Sequence, residues 1–217
     1  MTENLWFSVA QGILTTIQLT VLGFCLGGLL GLPLLAMRTS QVPVLRWLSR
    51  AFIEVTRGVP LVVWLFLIYN GPTQFDPSLG SVFTSWNSAI AAIGLVSAAH
   101  MAEIYRGSLL AIPKGQWEAS TALGMTRIDT ASRIIAQQMI RAAIPASASY
   151  AIGLLKDSSL ASTIGVFELT YYANAAAGTT SSATPFFIAG AYYLAMTIPS
   201  AWAARRLENR LRKEVLR

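Results

Sequence analysis

The stretch ILTTIQLTVLGFCLGGLLGLPLLAM, residues 13–37, contains no charged side chain. About 20 consecutive apolar residues suffice to cross the hydrocarbon core of a bilayer. That reading extends to the whole 217-residue chain, which is 54% hydrophobic and 12% charged. A soluble domain carries about 25% charged residues. A polytopic, all-α membrane protein is therefore expected, and a soluble globular one is not. The net charge of +6 does not signal nucleic-acid binding, because the general polarity that accompanies a basic nucleic-acid surface is missing. A single cysteine, Cys25, rules out an intrachain disulfide. One cysteine and one histidine also argue against a His/Cys metal centre in this chain. Residues 1–11 lack Lys and Arg, so the first apolar segment reads as a retained span and not a signal peptide.

Five spans are expected, at about 12–37, 49–71, 86–108, 143–168 and 185–204, within one transmembrane domain over residues 1–217. The second and fourth are weak by hydropathy. Charge supports them. Lys and Arg fall in residues 38–57, 106–141 and 205–217, and are absent from 1–12, 71–85 and 168–184. Fifteen of the sixteen basic residues obey this alternation; Lys156 is the exception. Positive residues stay cytoplasmic, so the N-terminus is expected outside and the C-terminus inside. Five spans without an apparent internal repeat do not suit an inverted-repeat carrier. Gly23, Gly27 and Gly31 form overlapping GxxxG spacings that permit close helix packing, by default within the subunit. Pro33, Pro60, Pro145 and Pro199 mark expected kinks. Trp6, Trp47, Trp86 and Trp202 fall near span ends, where interfacial anchors belong.

The loop 109–142 is too long for a plain connection. Pro113 opens a helical run through Gln116-Trp117-Glu118-Ala119-Ser120-Thr121-Ala122-Leu123, and Gly124 fits its C-terminal cap. Thr126 and Asp129 read as a capping box opening a second helix that leads into span four. The plain reading of this loop is a surface-lying amphipathic helix. The sharper one is a docking element, with small Ala119 and Ser120 admitting a partner and Glu118 available to pair with or cap it.

The run Glu118-Ala119-Ser120 with Gly124 and Ile144-Pro145 resembles the EAA loop of ABC-importer permease subunits. Arg57-Gly58-Val59-Pro60-Leu61, Glu103-Ile104-Tyr105-Arg106-Gly107, Lys156-Asp157-Ser158-Ser159-Leu160 and Glu168-Leu169-Thr170 resemble motifs of its polar amino-acid branch, the histidine/glutamine/arginine type. The resemblance covers roughly residues 12–207. Val59, Ser158 and Ser120 depart mildly from the family pattern, and His100 stands where tyrosine is more usual.

The resemblance implies a type I ABC-importer permease fold in the bacterial cytoplasmic (inner) membrane. It implies a second permease subunit, the same or a related chain, and a cytoplasmic ABC ATPase dimer docked through Glu118, Ala119, Ser120 and Gly124. It also implies an extracytoplasmic solute-binding protein, an amino-acid substrate and no nucleic-acid partner. The chain has no G-x-x-x-x-G-K-[ST] run. ATP is therefore expected on the partner ATPase, with no cofactor and no enzymatic activity in this chain. The alternative is an autonomous channel or secondary carrier for a small polar solute.

Charges inside spans cost about 2.5–3.5 kcal/mol on insertion scales and usually face the bundle interior or a water-filled path. Lys156, Asp157, Glu103, Arg106, Glu54 and Arg57 are the candidates for a substrate pathway, with Ser158, Ser159 and His100. A zwitterionic amino acid needs an anion, Glu103 or Asp157, and a cation, Lys156 or Arg106. Two pairs, Glu103–Arg106 and Glu54–Arg57, are equally spaced to satisfy each other. Ser158 and Ser159 also suggest a local break in the fourth span, tolerated in a membrane where it lines a cavity.

Overall fold

The computed structural model describes the backbone of residues 2–215 and the side chains of residues 5–210. Arg212, Lys213 and Arg217 of the last basic segment lie outside those side chains, as does Glu3 near the start. The described residues contain ten helices in chain order and no strand. Among them, Leu5–Arg38, Ser85–Leu110 and Thr184–Arg210 are long and apolar enough to cross a membrane.

The centre of the molecule is the pair α2 (Ile13–Arg38) and α5 (Ser85–Leu110), following the short α1 (Thr2–Ala10). The buried stripe of α2 runs Thr16, Leu19, Thr20, Gly23, Gly27, Gly31 and Leu35. Its other faces are also apolar, as a helix solvated by lipid requires. A side chain built on Gly23 would strike Ile93, one on Gly27 would strike Ser97, and one on Gly31 would stand 2.9 Å from Met101 Cβ. The glycines are therefore needed for close approach, and the GxxxG contact is made within the subunit. Opposite them α5 presents Ala89, Ala92, Ala98 and Ala102, all buried.

The expected span over 49–71 is not one rod. It is two helices, α3 (Pro43–Gly58) and α4 (Leu61–Phe75), meeting at 102°. The cause is local. A residue preceding proline is pushed out of the α region, and Val59, before Pro60, is extended at φ −91° and ψ 130°. Trp64 Nε1 donates to the Thr56 carbonyl at 3.2 Å across the corner, satisfying an acceptor near the helix end. The pair counts as a fourth crossing if the bent unit is taken together.

The long loop follows its sequence signals closely. Helix α6 (Lys114–Ala122) ends at Gly124, whose φ of +73° is left-handed. Thr126 then accepts from the Asp129 amide at 3.1 Å and donates to its carboxylate at 2.6 Å. From there α7 (Arg127–Asp129), a π turn over Thr130–Ile135 and α8 (Ala136–Asp157) form a continuous helical path. Leu35, Ile112, Ile135 and Met139 make a core beneath α6.

Helix α8 stops at Asp157, and Ser158–Ile164 tightens into a 3-10 segment ended by left-handed Gly165. The break anticipated at the serines is present, so the fourth expected span, 143–168, is helical only in part. Two helices had no counterpart among the expected spans: α1 and α9 (Leu169–Thr180). They pack with the start of α10 (Thr184–Val215) around Val9, Leu169, Ala173, Ile188 and Ala189.

Candidate functional site

Polar groups of α5 and α8 meet in the interior. The His100 ring stacks on Tyr150, centroids 4.9 Å apart at 23°. Tyr150 donates its hydroxyl hydrogen to Ser97 Oγ at 3.0 Å. The chain reaches this pair from two further elements. Arg57, at the end of α3, is within electrostatic range of His100. Asp157, at the end of α8, is within range of Tyr150. The corner at Val59–Pro60 and the break after Asp157 thus bring Arg57, His100, Asp157 and its neighbour Lys156 to one region.

Lys156 and Asp157 are exposed on the surface of the chain. Among the described residues neither makes an ion pair. The serine that follows them is turned inward. Ser158 is fully buried and donates to the Leu155 carbonyl at 2.8 Å, so its hydroxyl serves the helix end. The Ser159 carbonyl accepts from Ser162 in the same 3-10 segment.

Glu103 is occupied. Arg106 donates to its Oε2 through Nε at 2.9 Å and Nη2 at 2.8 Å. Arg38, from the end of α2, stands 3.6 Å from Oε1. The i,i+3 pairing of Glu103 with Arg106 is therefore realised, and Arg38 joins it across a separation that sequence spacing does not reveal. The other proposed pair is not formed. Glu54 binds Arg50 at 2.7 Å, both side chains exposed, and Arg57 is left without an ion pair among the described residues. An i,i+4 partner on the exposed side of an amphipathic helix won over the i,i+3 one.

On α6, Glu118 and Ala119 are exposed; beyond its end so are Gly124 and the large apolar side chains Leu123 and, on α7, Ile128, the last two each 80% exposed. Ser120 lies on the opposite face, 2% exposed, donating to the Gln116 carbonyl at 2.7 Å. It therefore packs into its own chain instead of admitting a partner. Gln138 donates to Gln116 Oε1 at 3.0 Å and ties α6 to the path that becomes α8. This surface combines exposed apolar side chains, a free carboxylate and a rigid base.

One polar site escaped the sequence reading. Glu168 is fully buried; it caps α9 by accepting from the Tyr171 amide at 2.9 Å, and it accepts from the Tyr193 hydroxyl at 2.7 Å. Thr16 on α2 accepts from the neighbouring Leu169 amide at 3.2 Å. The available signal was that Glu168 is the one charged residue between Asp157 and Arg205. Outside the spans, Asp76 accepts from the Ser78 amide at 2.9 Å, which holds its carboxyl below the ordinary aspartate range.

Comparison with known proteins follows this geometry. Residues 23–213 match the family described as the binding-protein-dependent transport system inner membrane component. The chain is 34% identical over 209 residues to the arginine ABC transporter permease protein ArtM of Haemophilus influenzae, covering 94% of this chain and 92% of that one. It is 40% identical over 167 residues to the L-cystine transport system permease protein TcyB of Bacillus subtilis, covering 77% and 70%. Among solved structures, an amino acid ABC transporter crystallised with histidines superimposes at a TM-score of 0.87, with 33% identity and 94% of each chain covered. The MetNI methionine ABC transporter shares the fold at a TM-score of 0.82 and 20% identity, over 97% of this chain and 99% of that one.

Proposed function

The chain belongs to the inner-membrane components of binding-protein-dependent transport systems, as an ABC-importer permease subunit distinct from the ATPase, and from that premise we propose how it works. Its cargo is a polar amino acid, the class named for its relatives TcyB and ArtM. Two permease subunits, identical or related, stand side by side. A solute-binding protein delivers from outside, and an ATPase dimer that binds ATP docks on the cytoplasmic side. The autonomous-carrier alternative rests on the buried charges alone.

The observation that carries the coupling reading is α6 itself. It is a short helix followed by exposed Leu123 and Ile128, stopped at Gly124 and linked through Gln116–Gln138 to the helical path of α8. A displacement of α6 by the ATPase would pass into α8 as rigid-body motion and reach Lys156 and Asp157 at its far end. Because two arginines occupy Glu103, Asp157 is the carboxylate left for a substrate ammonium and Lys156 the cation left for its carboxylate. His100 and Arg57 border the same path. Reconstitution with ATPase and binding protein tests this. Glu118→Lys is expected to abolish substrate-stimulated ATP hydrolysis while the chain still inserts and folds. Unchanged coupling in that variant would refute docking through α6.

A further inference from the structure

A groove of about 620 Å³ runs along the outside of the bundle, away from His100 and α6. Its walls are α8, through Ala148 and Ala151, and α10, through Met196, Ala203 and Leu207, with Val21 of α2 also lining it. The lining is almost wholly apolar, and alanines on both walls leave room between them. From Met196 to Leu207 it extends about 17 Å at helical rise. That is close to the hydrocarbon depth of one leaflet, about 15 Å of a 30 Å core.

Both walls end in arginine at the same end. Seven residues before Ala148, on the same face of α8, is Arg141; three residues beyond Leu207, on the same face of α10, is Arg210. Both are exposed. Arg141 also borders a polar recess with Arg133, Gln137 and Gln138. Arg205 and Arg206 flank the last turn of the groove, and the Arg206 guanidinium lies 3.6 Å over the Trp202 ring, the arrangement of an interfacial anchor. The charge alternation of the sequence puts this end in the cytoplasmic leaflet.

We propose that the groove holds one acyl chain of an anionic phospholipid of the cytoplasmic leaflet, its phosphate bound between Arg141 and Arg210. Apolar length and charge both match that occupant. Arginine forks suit phosphate oxygens, and basic pockets between helices on this side of a membrane recognise anionic headgroups. A second copy of this chain fits poorly. Standing in the same orientation, it would bring Arg205, Arg206 and Arg210 to the same depth, setting like charge against like.

The test uses the assembled transporter in detergent, titrated with phosphatidylglycerol or phosphatidylcholine and read by native mass spectrometry. The wild type is expected to retain phosphatidylglycerol at a concentration roughly tenfold lower than phosphatidylcholine, equivalent to about 1.4 kcal/mol, because both lipids carry the phosphate but only the choline head adds a cation that the arginines repel. Arg141→Gln with Arg210→Gln should erase that preference, chiefly by weakening retention of phosphatidylglycerol. Ala151→Trp should reduce retention of both lipids by filling the groove. Equal retention of the two lipids by wild type would overturn the proposal. So would cross-linking of Ala203→Cys, in a Cys25→Ser background, to a second copy of the chain.

Discussion

Two groups of charge, one joining α2 to α5 and one at the end of α8, are treated by the fold in opposite ways. Glu103 is held by Arg106 in two hydrogen bonds and approached by Arg38 from another helix. Lys156 and Asp157 sit at a helix break with no ion-pair partner among the described residues. The first group joins α2 to α5 through ion pairs, although Glu103 Oε1 and Arg38 Nε make no hydrogen bond among the described residues. The second keeps its capacity, next to a stacked His100–Tyr150 pair. Ionisable residues in a membrane are thus not one class. A closed network fixes geometry, and an open one is available for cargo.

The largest effect should come from breaking the closed network. Glu103→Ala leaves Arg38 and Arg106 facing each other without their anion. Removing one partner of a buried pair costs about 3–5 kcal/mol, and about 2–3 kcal/mol is expected here because the groups retain some solvent contact. Thermal unfolding of the purified chain should show a clear fall in Tm. If Glu103→Ala unfolds like wild type, the distinction between the two groups collapses.

Asp157→Asn sharpens the comparison from the other side. Uptake by the reconstituted complex should fall about tenfold, equivalent to about 1.4 kcal/mol, with little change in Tm. A variant that loses stability and keeps uptake would move Asp157 into the closed class. Tyr150→Phe should cost about 1 kcal/mol or less, the worth of one hydrogen bond to Ser97, and should be seen as a small drop in Tm.

Asp76 supplies the baseline of a solvated charge in a loop, and the smallest effect. Its carboxyl is held low by the Ser78 amide, so its folded value lies below its unfolded one. The turn is therefore fully supported above the unfolded value, and that support is lost as pH falls through the folded one. Exchange of the Ser78 amide hydrogen should quicken on acidification, and Asp76→Asn should flatten that response.

The same contrast explains how much could be read in advance. The caps at Gly124, Thr126 and Asp129 depend on neighbours within a few residues, so spacing alone located them. The Val59–Pro60 corner was visible as a proline, but its 102° depends on how α4 packs against α5. Arg38 and Glu103 are far apart in the chain and meet because α2 and α5 lie side by side, which no local pattern encodes. Helices α1 and α9 escaped because each is short and supported mainly by the other and by α10. Ser158 was read as a hydroxyl lining the path and Ser120 as a small residue on a docking face, but both bond to carbonyls of their own helices. Small polar residues within a helix have that local outlet before any ligand arrives.

The glycine seam between α2 and α5 has a mechanical consequence. With only glycine on the α2 side of these contacts, neither helix can slide or roll past the other without collision at Ile93, Ser97 or Met101. The two act as a single stiff beam. Whatever bending a transport stroke demands is left to the joints at its sides, the elbow between α3 and α4 and the tightened coil after Asp157.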